Sequence, residues 1–328
     1  MEESSAHITV YIPSDLEQSP PHASSHFPCL EKLISRGETV QIPHLGDAHM
    51  LTLFGGDSAG GTARAAVSHY VQYASSGDGQ WRIIASPVHL VADHATLHFP
   101  PQNHSLLNDE ESQALMVSCQ DHFAEEGWRL EYGAANTWYL WIDGTPNIST
   151  TPLDDAIGNP LFEMLPQGDD AQRWRRWSNE AQMLLHAHAV NDARQARGQA
   201  PINSLWFWGE GRLPALTAKR FERVFGGDRY VQGLAQLSRA QWSPLVEGLS
   251  VMNDSLQHSA TLIVLDEANR PRWDRAWFCP LAKKLRASAI DSLVLNFRNG
   301  YTTQLNPSML RRFWRRKRFS IAATESAL

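Results

Sequence analysis

Residues 180–214 read EAQMLLHAHAVNDARQARGQAPINSLWFWGEGRLP, a helical pattern followed by a strand-like run that ends in glycines. The pattern of 169–196 predicts one long helix, which Gly198 and Pro201 would close. The β-type run 202–208 predicts a strand that leads into a Gly-Glu-Gly turn. A helix followed directly by a strand is typical of an α/β fold.

The same alternation continues along the rest of the chain. Strands are predicted at 8–12, 49–54, 136–142, 260–265 and 292–297, and helices at 28–37, 62–74, 109–126 and 277–287. The alternation predicts an α/β protein with a mostly parallel sheet that carries helices on both faces. We expect a single domain over residues 1–328, with a small inserted cap region at about 100–165.

Charge and hydropathy restrict the classes of partner. The net charge of −6 gives no overall attraction to nucleic acid. The local exception is the basic run Arg311–Arg318, which we interpret as a solvated final helix; contact with a phosphate backbone or acidic lipid is the alternative. No run approaches the roughly 18 apolar residues that a membrane span requires. Nucleic acid and a membrane span are therefore not expected.

The cysteines and the first residues indicate a cytoplasmic protein. Cys29, Cys119 and Cys279 are far apart and form no C-x-x-C pair, which predicts reduced thiols in a reducing compartment. The N-terminus starts acidic and lacks the features of a signal peptide. The 12 tryptophans predict an aromatic core, and whether Trp206–Trp208 lines a pocket or the core is left open.

The spacing within 180–214 is N-x-x-R-x-x-x-G-x-x-P-x-N, followed by G-x-G and a proline. It resembles a segment of the archaeal-type, cofactor-independent phosphoglycerate mutases, and still more closely one of the bacterial RpfE-type regulatory proteins. The stretches PVHLVAD (87–93), LPQGDD (165–170) and RRFWRR (311–316) extend the RpfE-type resemblance over most of the chain. The segment PCLEKLISRG (28–37) is similar to the first helix of the mutases, which belong to the alkaline-phosphatase-like superfamily.

The resemblance implies an alkaline-phosphatase-like core in diverged form. Active members hold two metal ions with aspartates and histidines, including late H-x-x-x-D and D-H pairs, and the metals activate a serine nucleophile. After residue 214 this chain has one histidine, His258, and IPSD (12–15) stands where an Asp-Gly pair is expected. We therefore predict a non-catalytic phosphoglycerate-mutase-like protein without a cofactor. Its role would be regulatory or anion-binding, with a phosphorylated metabolite or a protein as partner.

Five residues of the same segment are candidate ligand-binding residues. Arg194 could offer two parallel hydrogen bonds to a phosphate or carboxylate. Gly209 and Gly211 would allow backbone amides to face an anion. Asn191 and Asn203 could contact the ligand or fix the loops. All five residues are equally well explained as turn and capping residues.

An active metal-dependent mutase or phosphatase is the first alternative, so whether the protein is an enzyme is left open. Such an enzyme would use Asp15, Asp266 and Asp274 as ligands of two Mn²⁺ or Zn²⁺ ions. Ser14 or Ser58 would be its nucleophile.

A serine esterase is the less favoured alternative. GDSAGG (56–61) fits the G-x-S-x-G nucleophile elbow, with a predicted strand before Ser58 and a predicted helix after it. The chain lacks the upstream HGGG-type loop, and His258 is the one histidine available as the downstream base.

Overall fold

The computed structural model describes residues 6–13, 27–74, 79–93, 96–100, 107–255 and 259–311. The fold divides into two compact units: unit 1 combines Met1–Gly56 with Ala215–Leu328, and unit 2 is the continuous segment Asp57–Pro214. Compactness does not test whether either unit folds alone. The single domain with a cap at about 100–165 therefore stays a prediction.

Strands and helices alternate in both units. The strands are β1 (His7–Ile12), β2 (Glu38–Gln41), β3 (Arg82–Val88), β4 (Val91–Asp93), β5 (Thr96–His98), β6 (Arg129–Ala134), β7 (Thr137–Trp141), β8 (Ser204–Gly211), β9 (Arg223–Gly226), β10 (Gln241–Ser243), β11 (Ala260–Val264), β12 (Ser292–Phe297) and β13 (Tyr301–Leu305). The helices are α1 (Pro28–Arg36), α2 (Gly46–Leu53), α3 (Arg64–Tyr73), α4 (Asp109–His122), α5 (Leu153–Ala156), α6 (Leu161–Met164), α7 (Ala171–His186), α8 (Ala189–Ala196), α9 (Arg229–Leu237) and α10 (Cys279–Arg286). Within the described residues, no helix is both long and apolar enough to cross a lipid bilayer.

Unit 1 is built on a seven-stranded sheet in the order β10-β9-β11-β1-β12-β13-β2. The pairs from β10 to β12 are parallel, and β13 and β2 add two antiparallel pairs at one side. Strand β1 is central, with Tyr11 opposite Val264 of β11 and Asn296 of β12. The predicted α/β class with a mostly parallel sheet is confirmed.

Helices cover both faces of this sheet. Successive side chains of a strand point to opposite faces. Val10 of β1 packs in one apolar cluster with Leu33 of α1 and Leu281 of α10. Tyr11 faces the other side, where its ring meets His49 of α2 edge-on at 5.8 Å. The sheet is thus buried on two sides, as the sequence predicts.

Unit 2 contains a different sheet, in the order β6-β7-β3-β8 with all neighbours antiparallel. The prediction of a mostly parallel sheet therefore holds for unit 1 alone. Helix α7 packs its buried side chains against β8 in an aromatic core, which contains Trp81, Trp128, Trp138, Trp174, Trp177 and Phe207. The predicted aromatic core lies mainly here.

Two predicted elements differ from the structure. Residues 49–54 belong mostly to helix α2 rather than to a strand, because periodicity does not separate a short apolar run in a strand from one in a buried helix. The predicted helix 169–196 is two helices, because His188 caps the second: its Nδ1 accepts a hydrogen bond of 3.1 Å from the amide of Val190.

The cysteines also differ from expectation. Cys29 in the first turn of α1 and Cys279 in the first turn of α10 form a disulfide, with Cα atoms 5.2 Å apart. Cys119 is free and buried. The prediction of reduced thiols is therefore wrong for two of the three cysteines. The two partners are separated by 250 residues and become neighbours only when α1 and α10 pack on the same face of the sheet.

Candidate functional site

The carboxyl ends of β1, β9, β11 and β12 lie at one edge of the unit 1 sheet, which we call the carboxyl edge. Ligands of open α/β sheets bind in the crevice beyond this edge. Asp228 follows β9, Asp266 follows β11 and Arg298 follows β12. The carboxyl edge is therefore the candidate site of unit 1.

A cluster of neutral polar side chains lies at the carboxyl edge. His49 is 2% exposed, and its burial lowers the pKa of the imidazole to about 4, so the ring is neutral at pH 7. Asn296 Oδ1 accepts a 2.9 Å hydrogen bond from Thr302 Oγ1. Nδ1 of His49 and Nδ2 of Asn296 are buried and have no hydrogen-bond partner of good geometry among the described residues, although the side chain of Asn296 is close enough to His49 to offset part of the lowering of its pKa. Buried polar atoms without a partner are rare and mark a place where a ligand or ordered water could bind.

Sequence reasoning did not find His49 or Asn296. The available signal was local: Asn296 interrupts the apolar strand SLVLNF near its carboxyl end. A polar residue in a buried strand requires a partner, so its position there points to a site or a network.

The carboxylates near this edge serve as helix caps. Asp228 Oδ1 accepts hydrogen bonds from the amides of Tyr230 (3.0 Å) and Val231 (3.2 Å) at the start of α9. Asp266 Oδ1 accepts one of 3.1 Å from the amide of Asn269. Such bonds satisfy amides that a helix leaves free in its first turn. These two carboxylates are thus already engaged by the backbone.

The predicted metal ligand Asp274 is also engaged by the backbone. Its two carboxylate oxygens accept hydrogen bonds of 3.0 Å from the amides of Cys29 and Leu30 at the start of α1. In the described part of the chain, Cys29, Asp274 and Cys279 form the one group of three metal-ligating side chains close enough to share an ion. The two sulfurs are joined in the disulfide, and a metal binds thiolates. The other predicted residues, Ser14, Asp15 and His258, lie outside the described residues.

Two predicted ligand residues of unit 2, Asn191 and Arg194, are buried and bonded within the unit. Asn191 donates hydrogen bonds of 2.7 Å to the carbonyls of Leu185 and Ile202, and accepts one of 2.8 Å from the amide of Ile202. Arg194 is 1% exposed, and its Nη1 lies 2.6 Å from Glu111 Oε2. Their ligand role stays a prediction, and these contacts favour a structural one.

The remaining predicted ligand residues lie along β8. Asn203 pairs with the backbone of Leu90 through two hydrogen bonds of 2.8 Å. Gly209 and Gly211 lie inside the strand rather than in a turn, with φ of +71° and +142°. A Cβ at Gly211 would lie 2.9 Å from Cα of Ala63, so the glycine allows close approach of the chain that enters α3. No anion is needed to explain these glycines, and their ligand role stays a prediction.

Ser58 lacks the setting of a nucleophile elbow. The elbow requires a strand before the serine, but the preceding element is helix α2. The carbonyl of Ser58 accepts a 3.1 Å hydrogen bond from the amide of Gly61, which closes a glycine-rich turn. The structure therefore does not favour the esterase alternative.

Comparison with known proteins links part of the chain to phosphoglycerate mutases. No protein-family model matches. A probable 2,3-bisphosphoglycerate-independent phosphoglycerate mutase of Geobacter sulfurreducens is 32% identical over 87 residues, which are 26% of this chain and 21% of that protein. The 2,3-bisphosphoglycerate-independent phosphoglycerate mutase of Methanothrix thermoacetophila is 40% identical over 76 residues, 23% of this chain and 19% of that protein. The matches thus span about a fifth of the length of these two relatives.

Two solved structures cover most of the chain at low similarity. The cofactor-independent phosphoglycerate mutase from Thermoplasma acidophilum covers 92% of this chain and 90% of its own, at 17% identity and a TM-score of 0.44. The PH0037 protein from Pyrococcus horikoshii covers 92% of this chain and 87% of its own, at 12% identity and a TM-score of 0.49. Such low scores carry no argument about function. The relationship to phosphoglycerate mutases therefore rests on the partial sequence matches.

Proposed function

We propose that this chain is a diverged, non-catalytic phosphoglycerate-mutase-like protein that binds a small phosphorylated anion at the carboxyl edge of unit 1. The partial sequence matches support the relationship. The observation that carries the binding role is the buried Nδ2 of Asn296, a donor without a partner among the described residues. A regulatory role of the RpfE type and an alkaline-phosphatase-like core belong to the same proposal. A cytoplasmic location is also part of it, but the Cys29–Cys279 disulfide removes reduced cysteines as support for that location.

The polar groups described at the carboxyl edge suit an anion better than a divalent cation, because they include a buried donor and two carboxylates that already cap helices. A buried donor without a partner costs about 1–3 kcal/mol, and a phosphate oxygen could accept its hydrogen bond. Arg298 follows Asn296 by two residues and is held at the edge by its amide, which donates to the carbonyl of Ile12 at 3.1 Å. The carboxylates of Asp228 and Asp266 follow neighbouring strands, and both cap helices by accepting hydrogen bonds from backbone amides. The backbone of Arg298 thus lies at the edge, and the carboxylates of Asp228 and Asp266 are engaged by backbone amides.

The two metal ions of an active mutase do not fit the described residues. Two-metal chemistry requires several converging carboxylate or imidazole ligands. Asp266 and Asp274 cap different elements, and in the described part of the chain the one group of three candidate ligands includes the two sulfurs of a disulfide. We therefore derive no catalytic step through metal ions. The metal-dependent mutase or phosphatase stays the alternative, with Asp15 and Ser14 outside the described residues.

The decisive experiment measures metal content and anion binding on the same preparation. The protein is incubated with Mn²⁺ and Zn²⁺, analysed by elemental mass spectrometry, assayed for phosphoglycerate mutase activity, and titrated with 3-phosphoglycerate by calorimetry. We expect saturable binding of 3-phosphoglycerate without retained metal or turnover. Tightly held metal together with turnover would favour the enzyme alternative and refute the proposal.

A matched pair of variants locates the anion. Asn296→Asp replaces the orphaned donor with a carboxylate, and we expect 3-phosphoglycerate binding to weaken by about tenfold or more. Asn306→Asp makes the same charge change beyond β13, at the opposite edge, and keeps the Oδ1 that accepts from the amide of Met309 at 3.1 Å. We expect it to bind as the wild type does. Equal weakening in both variants would contradict a site at Asn296.

A further inference from the structure

Unit 2 contains a cavity of about 1030 Å³. One wall is apolar and consists of Leu90, Phe99, Leu161, Leu165 and Trp206, which pack in one cluster. The rings of Phe99 and Trp206 meet edge-on at 5.3 Å. Pockets for small molecules measure about 300–1,000 Å³ and have mainly apolar walls with a few polar groups. The cavity is at the upper end of this range.

A second wall of the cavity is formed by one polar face of helix α7. Arg175, Ser178, Asn179 and Gln182 line the cavity, and their i, i+3, i+4, i+7 spacing places them on the same side of the helix. An adjacent face of α7, about a quarter turn away at 100° per residue, carries Trp174 and other core residues. The cavity thus has both an apolar wall and a polar wall, a lining that suits an amphipathic ligand.

The polar wall carries one arginine and no acidic residue. Asp and Glu are absent from the described residues that line the cavity. Arg175 donates a 3.0 Å hydrogen bond from Nη2 to the carbonyl of Pro166, and its buried Nε has no partner in the described part of the chain. A guanidinium binds a carboxylate through charge-assisted hydrogen bonds, which are stronger than neutral ones. A ligand with one carboxylate would match this single charge.

The cavity opens beside exposed apolar side chains. Phe162 in α6 is 79% exposed and Leu97 in β5 is 40% exposed, and both line the cavity. Exposed apolar groups at the rim of a cavity are typical of ligand-binding sites. A long apolar chain could continue from the buried wall to these residues.

We propose that this cavity binds an apolar molecule that ends in a single carboxylate, of the fatty-acid class. The carboxylate pairs with Arg175, and the chain lies along Leu161 and Trp206. Trp206 is oriented for this role, because its Nε1 donates a 2.9 Å hydrogen bond to the carbonyl of Thr151 within the protein. The site belongs to unit 2 and is independent of the anion site proposed for unit 1.

The test compares an acid with its uncharged analogue on the full chain. Dodecanoate and dodecanol are titrated by calorimetry at concentrations at which the ligands do not form micelles or aggregates. We expect Arg175→Gln to weaken dodecanoate binding by about tenfold or more and to leave dodecanol binding unchanged. Asn179→Trp would place a large ring in the cavity and weaken both ligands.

Two further variants serve as controls, and circular dichroism verifies that all variants are folded. Arg176→Gln changes the neighbouring, exposed arginine, whose Nη2 donates to Glu126 at 2.7 Å, and should bind as the wild type does. Asn296→Asp should also leave dodecanoate binding unchanged. The anion site proposed for unit 1 and the cavity proposed for unit 2 can therefore be refuted independently of each other. The proposal is overturned if wild type does not bind dodecanoate at millimolar concentration, or if Arg175→Gln binds it as tightly as Arg176→Gln does.

Discussion

Arg194→Ala should destabilise unit 2 far more than Arg197→Ala, although both arginines contact the same carboxylate. Glu111, 11% exposed, contacts Arg194 through Oε2 at 2.6 Å and Arg197 through Oε1. Arg194 also donates from Nε to the carbonyl of Ala200 at 2.9 Å. The Arg197 side chain is 49% exposed. The two arginines therefore share the carboxylate of Glu111 but differ in burial and in the hydrogen bond of Arg194 to Ala200, and we compare them as a pair.

Burial determines the expected magnitudes. Removing one partner of a buried ion pair costs about 3–5 kcal/mol, because it leaves a buried charge without compensation. Arg197 would still compensate Glu111 in part, so we expect about 3 kcal/mol for Arg194→Ala. An exposed pair contributes about 0–1 kcal/mol, and we expect a loss in that range for Arg197→Ala.

Urea unfolding followed by tryptophan fluorescence measures both variants, because the unit 2 core contains five buried tryptophans (81, 128, 138, 174 and 177). Binding of 3-phosphoglycerate is measured in parallel. Equal losses of stability would refute the argument from burial. If Arg194→Ala abolished anion binding and left unfolding unchanged, the arginine would instead be a ligand residue.

Four other variants test three local features of the fold. Cys29→Ser should lower the free energy of unfolding by up to about 5 kcal/mol in the chain-entropy model, because the disulfide closes a loop of 250 residues. In urea unfolding, a reductant should destabilise the wild type and leave the variant unchanged. Gly211→Ala should lower the free energy of unfolding by about 2 kcal/mol or more, measured by thermal melting, because the new Cβ would lie 2.9 Å from Ala63. Gly198→Ala should lower it by only about 1 kcal/mol, because no atom lies within 4 Å of the new Cβ. Because the pKa of His49 is lowered to about 4, the unfolded chain binds more protons than the folded chain between about pH 6.5 and pH 4. The free energy of unfolding should therefore fall as the pH drops through this range. His49→Gln should reduce this pH dependence in urea unfolding.

The sequence predicts those helices and strands that are marked by residues within or next to the element itself. Helix α1 follows from Pro28 at its start, Leu30 and Leu33 on one face and Gly37 at its end, and it forms at Pro28–Arg36. Strand β1 and the strands near 260 and 292 follow from short β-type runs. Local patterns do not show which strands pair. The antiparallel sheet of unit 2 therefore could not be distinguished in advance from a continuation of the parallel one.

Long-range contacts explain why the candidate site was predicted poorly. The charge of Arg194 is visible in the sequence, but its partner Glu111 lies 83 residues earlier. Asp274 likewise caps α1 from 245 residues away through the amide of Cys29. Each residue looks available to a ligand until the fold supplies its partner. Asn296 differs from these residues, because it lies in an apolar strand in the sequence, yet in the fold its buried Nδ2 has no partner among the described residues.

The motif that resembles the mutases therefore has a structural explanation. Asn191 ties the end of α7 to the start of β8 through Leu185 and Ile202. Arg194 holds the same connection through the carbonyl of Ala200, and Gly198 adopts φ +70° after α8. A motif of this kind can be shared wherever a helix must turn into such a strand, whether or not the protein is an enzyme. Its presence supports a common local fold, and the case for function depends on the side chains at the carboxyl edge.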